Sequence, residues 1–212
     1  WSFNNVKFRY ITRMSTHTDT LGKNSLIIAF FINLIMLSAD LLFGLMMNSA
    51  SLLSDAASNS GDVFILGSSI IVLSSTIAVK NRLALFKGII MTAFGLWAFY
   101  HAYLGLIGES QLSGGLITFV GLMSLIGNTS VALMMHKHQH KDLNFKSAFI
   151  CCRNDAIASG GIILAGLLVM ITRSFWPDVI IGTIIAFIVC NGGIKIIRLS
   201  LKPITSIEDD RC

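Results

Sequence analysis

Apolar residues run along this chain in six long stretches bounded by charges or turn residues, with none of the alternation that a half-buried strand would show. The pattern predicts helices at about Ser25 to Met47, Leu52 to Val79, Leu83 to Ile107, Gly115 to Met135, Ser147 to Thr172 and Val179 to Leu199. The connections are short: Asn48 to Ser51, Lys80 to Arg82, Gly108 to Gly114, His136 to Lys146 and Arg173 to Asp178. Consecutive helices therefore run antiparallel. At about 20 apolar residues per bilayer crossing, six spans use up the chain and predict an all-α membrane bundle. Residues 1–24 then form an N-terminal segment, 25–199 the transmembrane domain, and 200–212 a tail too short to be a domain.

Composition agrees with this reading. Hydrophobic residues make up 54% of the 212 and charged ones 13%, where a soluble domain carries about a quarter charged residues. Collagen-like, disulfide-scaffold and disordered classes are excluded on the same figures. The net charge of +5, from 16 Lys/Arg against 11 Asp/Glu, would raise nucleic-acid binding in a soluble protein. Here it follows topology instead, and no nucleic-acid partner is expected. Arg153 lies within the fifth span and Arg173 alone faces one side, while every other Lys and Arg, Lys87 included, is assigned to the opposite side. The positive-inside rule makes that side cytoplasmic and puts both termini there. Cys151, Cys152, Cys190 and Cys212 show no disulfide or zinc-ribbon spacing.

Four carboxylates fall inside the proposed spans: Asp40, Asp55, Asp62 and Asp155. Each costs about 2.5 to 3.5 kcal/mol at a helix centre on insertion scales, so they must face an interior or a wet cavity. Asp55, Ser58 or Asn59, and Asp62 recur at helical spacing on one face of the second helix, Cys151 and Asp155 form an i, i+4 pair on the fifth, and Asn33 and Asp40 share a face of the first. At about 1.5 Å per residue, Asp40, Asp62 and Asp155 reach towards one another near the midplane. Two carboxylates with a thiolate and a hydroxyl suit a divalent cation, and the cysteine biases the set towards softer ions such as zinc or cadmium. Carboxylates crowded in a low dielectric also hold protons, so metal and proton would compete for one site. Structural readings compete with these roles: Asp55 as a cap of the second helix, Ser58 and Cys151 as small packing residues, Asn128 as an interhelical hydrogen-bonding group, His101 as an interfacial side chain. Arg153 either snorkels or tunes Asp155, and the run His136 to His140 is either a solvated loop or a metal-collecting one.

The stretch Asn48-Ser49-Ala50-Ser51-Leu52-Leu53-Ser54-Asp55-Ala56-Ala57-Ser58-Asn59-Ser60-Gly61-Asp62, with Cys151-Cys152-Arg153-Asn154-Asp155 on the fifth helix and Asp40 on the first, resembles the cation diffusion facilitator family of metal/proton antiporters. The likeness runs from about Gly22 to Pro203. It is most similar to short bacterial members without the cytoplasmic metal-binding domain, as Phe94-Gly95-Leu96-Trp97 and the Trp176-Pro177-Asp178 turn also suggest. The resemblance implies a six-helix bundle of the cation efflux type in a bacterial inner membrane, with a tetrahedral site built from the second and fifth helices. Asp62 and Asp155 carry over as ligands. Ser58 and Cys151 stand where the family has His or Asp, and Asp40 and Asp55 serve proton relay or site shaping. Without the cytoplasmic domain, a homodimer would form through the membrane helices.

The expected function is therefore export of a divalent metal, zinc foremost with cobalt and cadmium beside it, in exchange for protons. The metal is cargo, and no resident cofactor is expected. The alternative is a non-transporting metal-binding or regulatory membrane subunit. An intramembrane hydrolase is disfavoured, because neither a His-Glu-x-x-His zinc motif nor a Gly-x-Ser-x-Gly elbow occurs.

Overall fold

The computed structural model describes residues 3–71, 77–107, 112–136 and 143–201. These form six helices and no strand: α1 Phe3–Met47, α2 Ala50–Ile71, α3 Ile77–Ile107, α4 Gly114–His136, α5 Leu143–Thr172 and α6 Trp176–Ser200. Five of them hold segments long and apolar enough to cross a bilayer: Asn24–Met47, Arg82–Leu106, Gly114–His136, Cys151–Thr172 and Trp176–Arg198. The protein is an integral membrane protein. Large apolar side chains such as Phe31, Ile35, Leu96, Ile126 and Phe187 stay exposed on the outside of the bundle, the surface that lipid covers.

α2 is the exception by composition, because Asp55, Asn59, Asp62 and several serines lower its hydropathy. It is also the innermost helix. Residues 49–62 are buried without a break, and α2 packs against α1, α3, α6, α5 and, lightly, α4. A helix this polar is tolerated because its neighbours screen it from lipid and supply its hydrogen-bond partners. Around it, α4 pairs with α5 and α3 with α6. Glycine permits both pairings: a Cβ on Gly166 would stand 2.4 Å from Thr118 Oγ1, and one on Gly88 2.8 Å from the Gly193 carbonyl oxygen.

Several expected boundaries move. α1 starts at Phe3 and not near Ser25, since neither Pro nor Gly interrupts the chain before Gly22. α3 begins at Ile77, so the expected loop Lys80 to Arg82 lies in its first turns. The α2–α3 connection falls in residues 72–76, outside the described residues, as do the histidine run beyond His136 and the tail from residue 202.

The α1–α2 turn is tight. Asn48 takes a left-handed conformation, φ 52°, which Asn tolerates better than most residues. Ser49 N–H donates to the Gly44 carbonyl at 2.9 Å and Asn48 N–H to that of Leu45 at 3.3 Å, the paired bonds of a Schellman ending. His101, near the end of α3, bonds Asn48 Oδ1 of this turn through Nδ1 at 2.7 Å and lies edge-on to Trp97.

This turn delivers the start of α2 onto α6. The Asp178 carboxylate accepts from Ala50 N–H at 2.7 Å, Ser51 N–H at 3.3 Å, Ser49 Oγ–H at 2.7 Å and the Ser51 hydroxyl. The expectation that Asp55 caps α2 is thus corrected: Ser49 and Asp178 satisfy its first amides, while Asp55 sits more than a turn further on. Backbone contact here depends on Gly182, whose added Cβ would lie 2.4 Å from the Ala50 carbonyl carbon and 2.5 Å from Ser51 N. Gly182→Ala is expected to destabilise the bundle by about 1 to 3 kcal/mol, because the obstacle is backbone that has no rotamer to change. Thermal unfolding in detergent checks this, and an unaltered melting temperature would refute the close approach.

Candidate metal site between α2, α3 and α5

The α2 face carrying Ser58 and Asp62 meets the α5 face carrying Cys151 and Asp155. Ser58 Oγ–H donates to Asp155 Oδ1 at 2.5 Å. Both carboxylates are nearly buried, Asp62 at 3% and Asp155 at 7% relative exposure. The fold therefore places these four residues at one interface, as their helical spacing predicts.

The expected four-donor arrangement differs in one respect, and the cause is a side chain from α3. Lys87, assigned above to the cytoplasmic side, points into the bundle with 6% of its surface exposed. Its ammonium donates to Asp62 Oδ1 at 2.7 Å and lies 3.6 Å from Cys151 Sγ. Among the described residues, no three His, Cys, Asp or Glu side chains gather closely enough to hold a metal. What forms is two linked pairs, Ser58 with Asp155 and Asp62 with Lys87. Each carboxylate nonetheless keeps one buried oxygen with no hydrogen-bond partner, Oδ2 of Asp62 and Oδ2 of Asp155. An unpaired buried acceptor of this kind costs about 1 to 3 kcal/mol, and a cation bound at either oxygen would relieve it.

A second polar group lies between α1, α2 and α4. Asp40 is fully buried and accepts from Asn59 Nδ2–H at 2.8 Å and Ser124 Oγ–H at 3.4 Å. Asp55, equally buried, has both oxygens without a hydrogen-bond donor in bonding geometry. The expected meeting of Asp40 with the α2/α5 pair does not occur by direct bonding; Asn59, next to Ser58 in sequence, bonds Asp40 and leaves its own Oδ1 without a partner. Asn33, which shares the inward face of Asp40, bonds the Ala29 carbonyl at 2.9 Å. Asn128 bonds across to Ser159 Oγ at 3.3 Å, and Ser159 donates to the Asp155 carbonyl at 2.8 Å, which bears out its interhelical reading. Arg153 is exposed, on the far side of α5 from Asp155, so it does not tune the site.

Two residues escape a reading by sequence pattern. Lys87 stands only five residues beyond Arg82 and passes for another interfacial cation; the signal that could have found it is a buried acid on α2 needing a partner. Asp178 looks like part of a turn, although the loops 48–51 and 173–178 lie on the same side of the membrane under the antiparallel order.

Residues 26–204 match the family described as the cation efflux transmembrane domain. The chain is 27% identical over 202 residues to the metal cation efflux system protein CzcD of Cupriavidus metallidurans, covering 89% of this chain and 64% of that protein. It has the same identity and coverage with the cation efflux system protein CzcD of an Alcaligenes species. A cadmium, cobalt and zinc/H(+)-K(+) antiporter of Bacillus subtilis is 23% identical over 201 residues, covering 87% of this chain. The chain spans 64% of the length of these relatives.

Proposed function

The chain belongs to the cation efflux transmembrane family, and from that premise we propose that it exports a divalent metal cation, of the zinc, cobalt or cadmium kind, in exchange for protons. The observation that carries this is the pair of buried carboxylates at the α2/α5 interface, Asp62 and Asp155, each with an oxygen left without a partner. The metal binds those oxygens, with Ser58 and Cys151 beside them. The names of the relatives, metal efflux for two and cadmium, cobalt, zinc and proton exchange for the third, support the cargo class. Proton exchange is expected because both carboxylates keep an unpartnered buried oxygen, an acceptor for which a proton and a metal ion compete. Asp40 and Asp55 extend the polar track towards α1 and α4 and serve as relay or shaping residues. The charge distribution supports cytoplasmic termini, as in a bacterial inner membrane.

One observation favours the alternative, a non-transporting metal-binding subunit: an ammonium already occupies one ligand oxygen. Flux decides between them. Proteoliposomes holding the purified protein are expected to move zinc, cobalt or cadmium when a pH gradient is imposed, with protons moving the opposite way, and to stop when the gradient is collapsed. A folded protein that moves none of these ions under the imposed pH gradient would overturn the transport reading.

A further inference from the structure

Lys87 is not a stray cation within its helix. α3 is held against α6 where Gly88 and Gly193 let their backbones touch, a Cβ on Gly88 standing 2.8 Å from the Gly193 carbonyl oxygen. That contact fixes the depth and rotation of the neighbouring Lys87. Its stem then passes Gly61, where an added Cβ would lie 3.5 Å from Lys87 Cε and 2.4 Å from Met91 Cγ. A side chain at position 61 would meet Met91 at 2.4 Å and touch the lysine stem only at ordinary van der Waals distance. The ammonium arrives at Asp62 and Cys151, two of the four side chains assigned to the metal. Although Lys87 starts only roughly 7 to 8 Å, at 1.5 Å per residue, from Arg82 at the edge of the span, it turns inward instead of snorkelling to the surface.

We propose that Lys87 is a tethered counter-cation of the metal site, a residue that occupies Asp62 when no metal is bound and that an entering dication must displace. The proposal rests on the metal-transport reading and deepens it. Two carboxylates without a cation would be unfavourable in an apolar bundle; the ammonium supplies one positive charge without closing the site, because Asp62 Oδ2 and Asp155 Oδ2 stay open. The displaced ammonium also offers the carboxylate a ready partner when the metal departs, so Lys87 weakens binding and favours release.

The test is cobalt and zinc binding to the purified full chain in lipid nanodiscs, by titration calorimetry and by the visible spectrum of bound cobalt. Lys87→Met removes the competitor and is expected to tighten binding by about tenfold or more. Lys87→Arg keeps the charge and grips Asp62 through a planar fork, so it is expected to weaken binding by about tenfold. A merely structural lysine would not give tighter binding when truncated. Binding by Lys87→Met that equals or falls below the unsubstituted protein overturns the proposal; should that variant fail to fold, Lys87→Arg decides it, and wild-type affinity there overturns it. If the unsubstituted protein binds metal and Asp155→Asn does not, a null result at Lys87 condemns this inference alone. If the unsubstituted protein and both Lys87 variants bind no metal, the metal-site reading falls and takes this inference with it.

Discussion

Asp155→Asn is expected to lower metal-driven flux by about a hundredfold or more while leaving the bundle folded. Outer-shell partners of a bound metal are by themselves worth about 10- to 100-fold in affinity, and Asp155 is assigned to the ion itself. Asparagine keeps the shape and one carbonyl oxygen, so Ser58 Oγ–H retains its acceptor at the position now 2.5 Å away. It loses the charge, and in place of the unpartnered Oδ2 it presents a donor that repels a cation. It also removes one of two crowded buried charges, so the fold has no electrostatic reason to weaken. The expected pattern is therefore a selective loss: near-normal unfolding temperature, absent flux. Cobalt and zinc uptake into proteoliposomes under a pH gradient measures it, with circular dichroism as the folding control. Uptake at the unsubstituted rate would remove Asp155 from the ligand set and leave the α2/α5 interface as packing.

That site is half legible in the sequence, and the division has a physical cause. Helical periodicity shows which residues of one helix share a face, which is why spacing alone pairs Ser58 with Asp62 and Cys151 with Asp155. The number and order of the helices are equally plain, because a bilayer demands long apolar runs and short loops demand antiparallel neighbours. Periodicity does not show which face of a third helix turns towards that pair. Lys87 lies in an apolar stretch just inside a basic boundary, where a lysine on either face reads alike; only the glycine contact between α3 and α6 turns it inward. The same limit applies to Asp40, which shares the inward face of Asn33 as expected, yet finds Asn59 and Ser124 in place of the α5 carboxylate. The start of α1 is hidden for another reason. Apolar periodicity marks where a helix can enter a membrane, and no Pro or Gly before Gly22 marks where a helix should stop.

Asp178→Ala is expected to cost about 3 kcal/mol of stability, a larger effect than removal of any single serine around it. In the native fold this one carboxylate takes hydrogen bonds from two amides and two hydroxyls at the start of α2. All of these groups are buried, with Ser49, Ser51 and Asp178 at 0% exposure and Ala50 at 1%, so no water stands ready to replace the acceptor. An unsatisfied buried donor costs about 1 to 3 kcal/mol, and the loss of a helix cap about 1 kcal/mol. The negative charge also faces the positive end of the α2 dipole. Some of the cost will be recovered, because Ser49 and Ser51 already lie 3.4 Å apart and can turn to each other. Asp178→Asn keeps two acceptor lone pairs on one oxygen but places an amide donor against Ala50 N–H, and should fall between the two. The damage should also reach transport, since the start of α2 fixes the rotation of the helix that carries Ser58 and Asp62. Thermal unfolding of the detergent-purified protein gives the stability, and cobalt binding gives the consequence for the site. A melting temperature for Asp178→Ala equal to that of the unsubstituted protein would mean that the α6 carboxylate does not anchor α2, and that the tight turn at Asn48 holds the helix unaided.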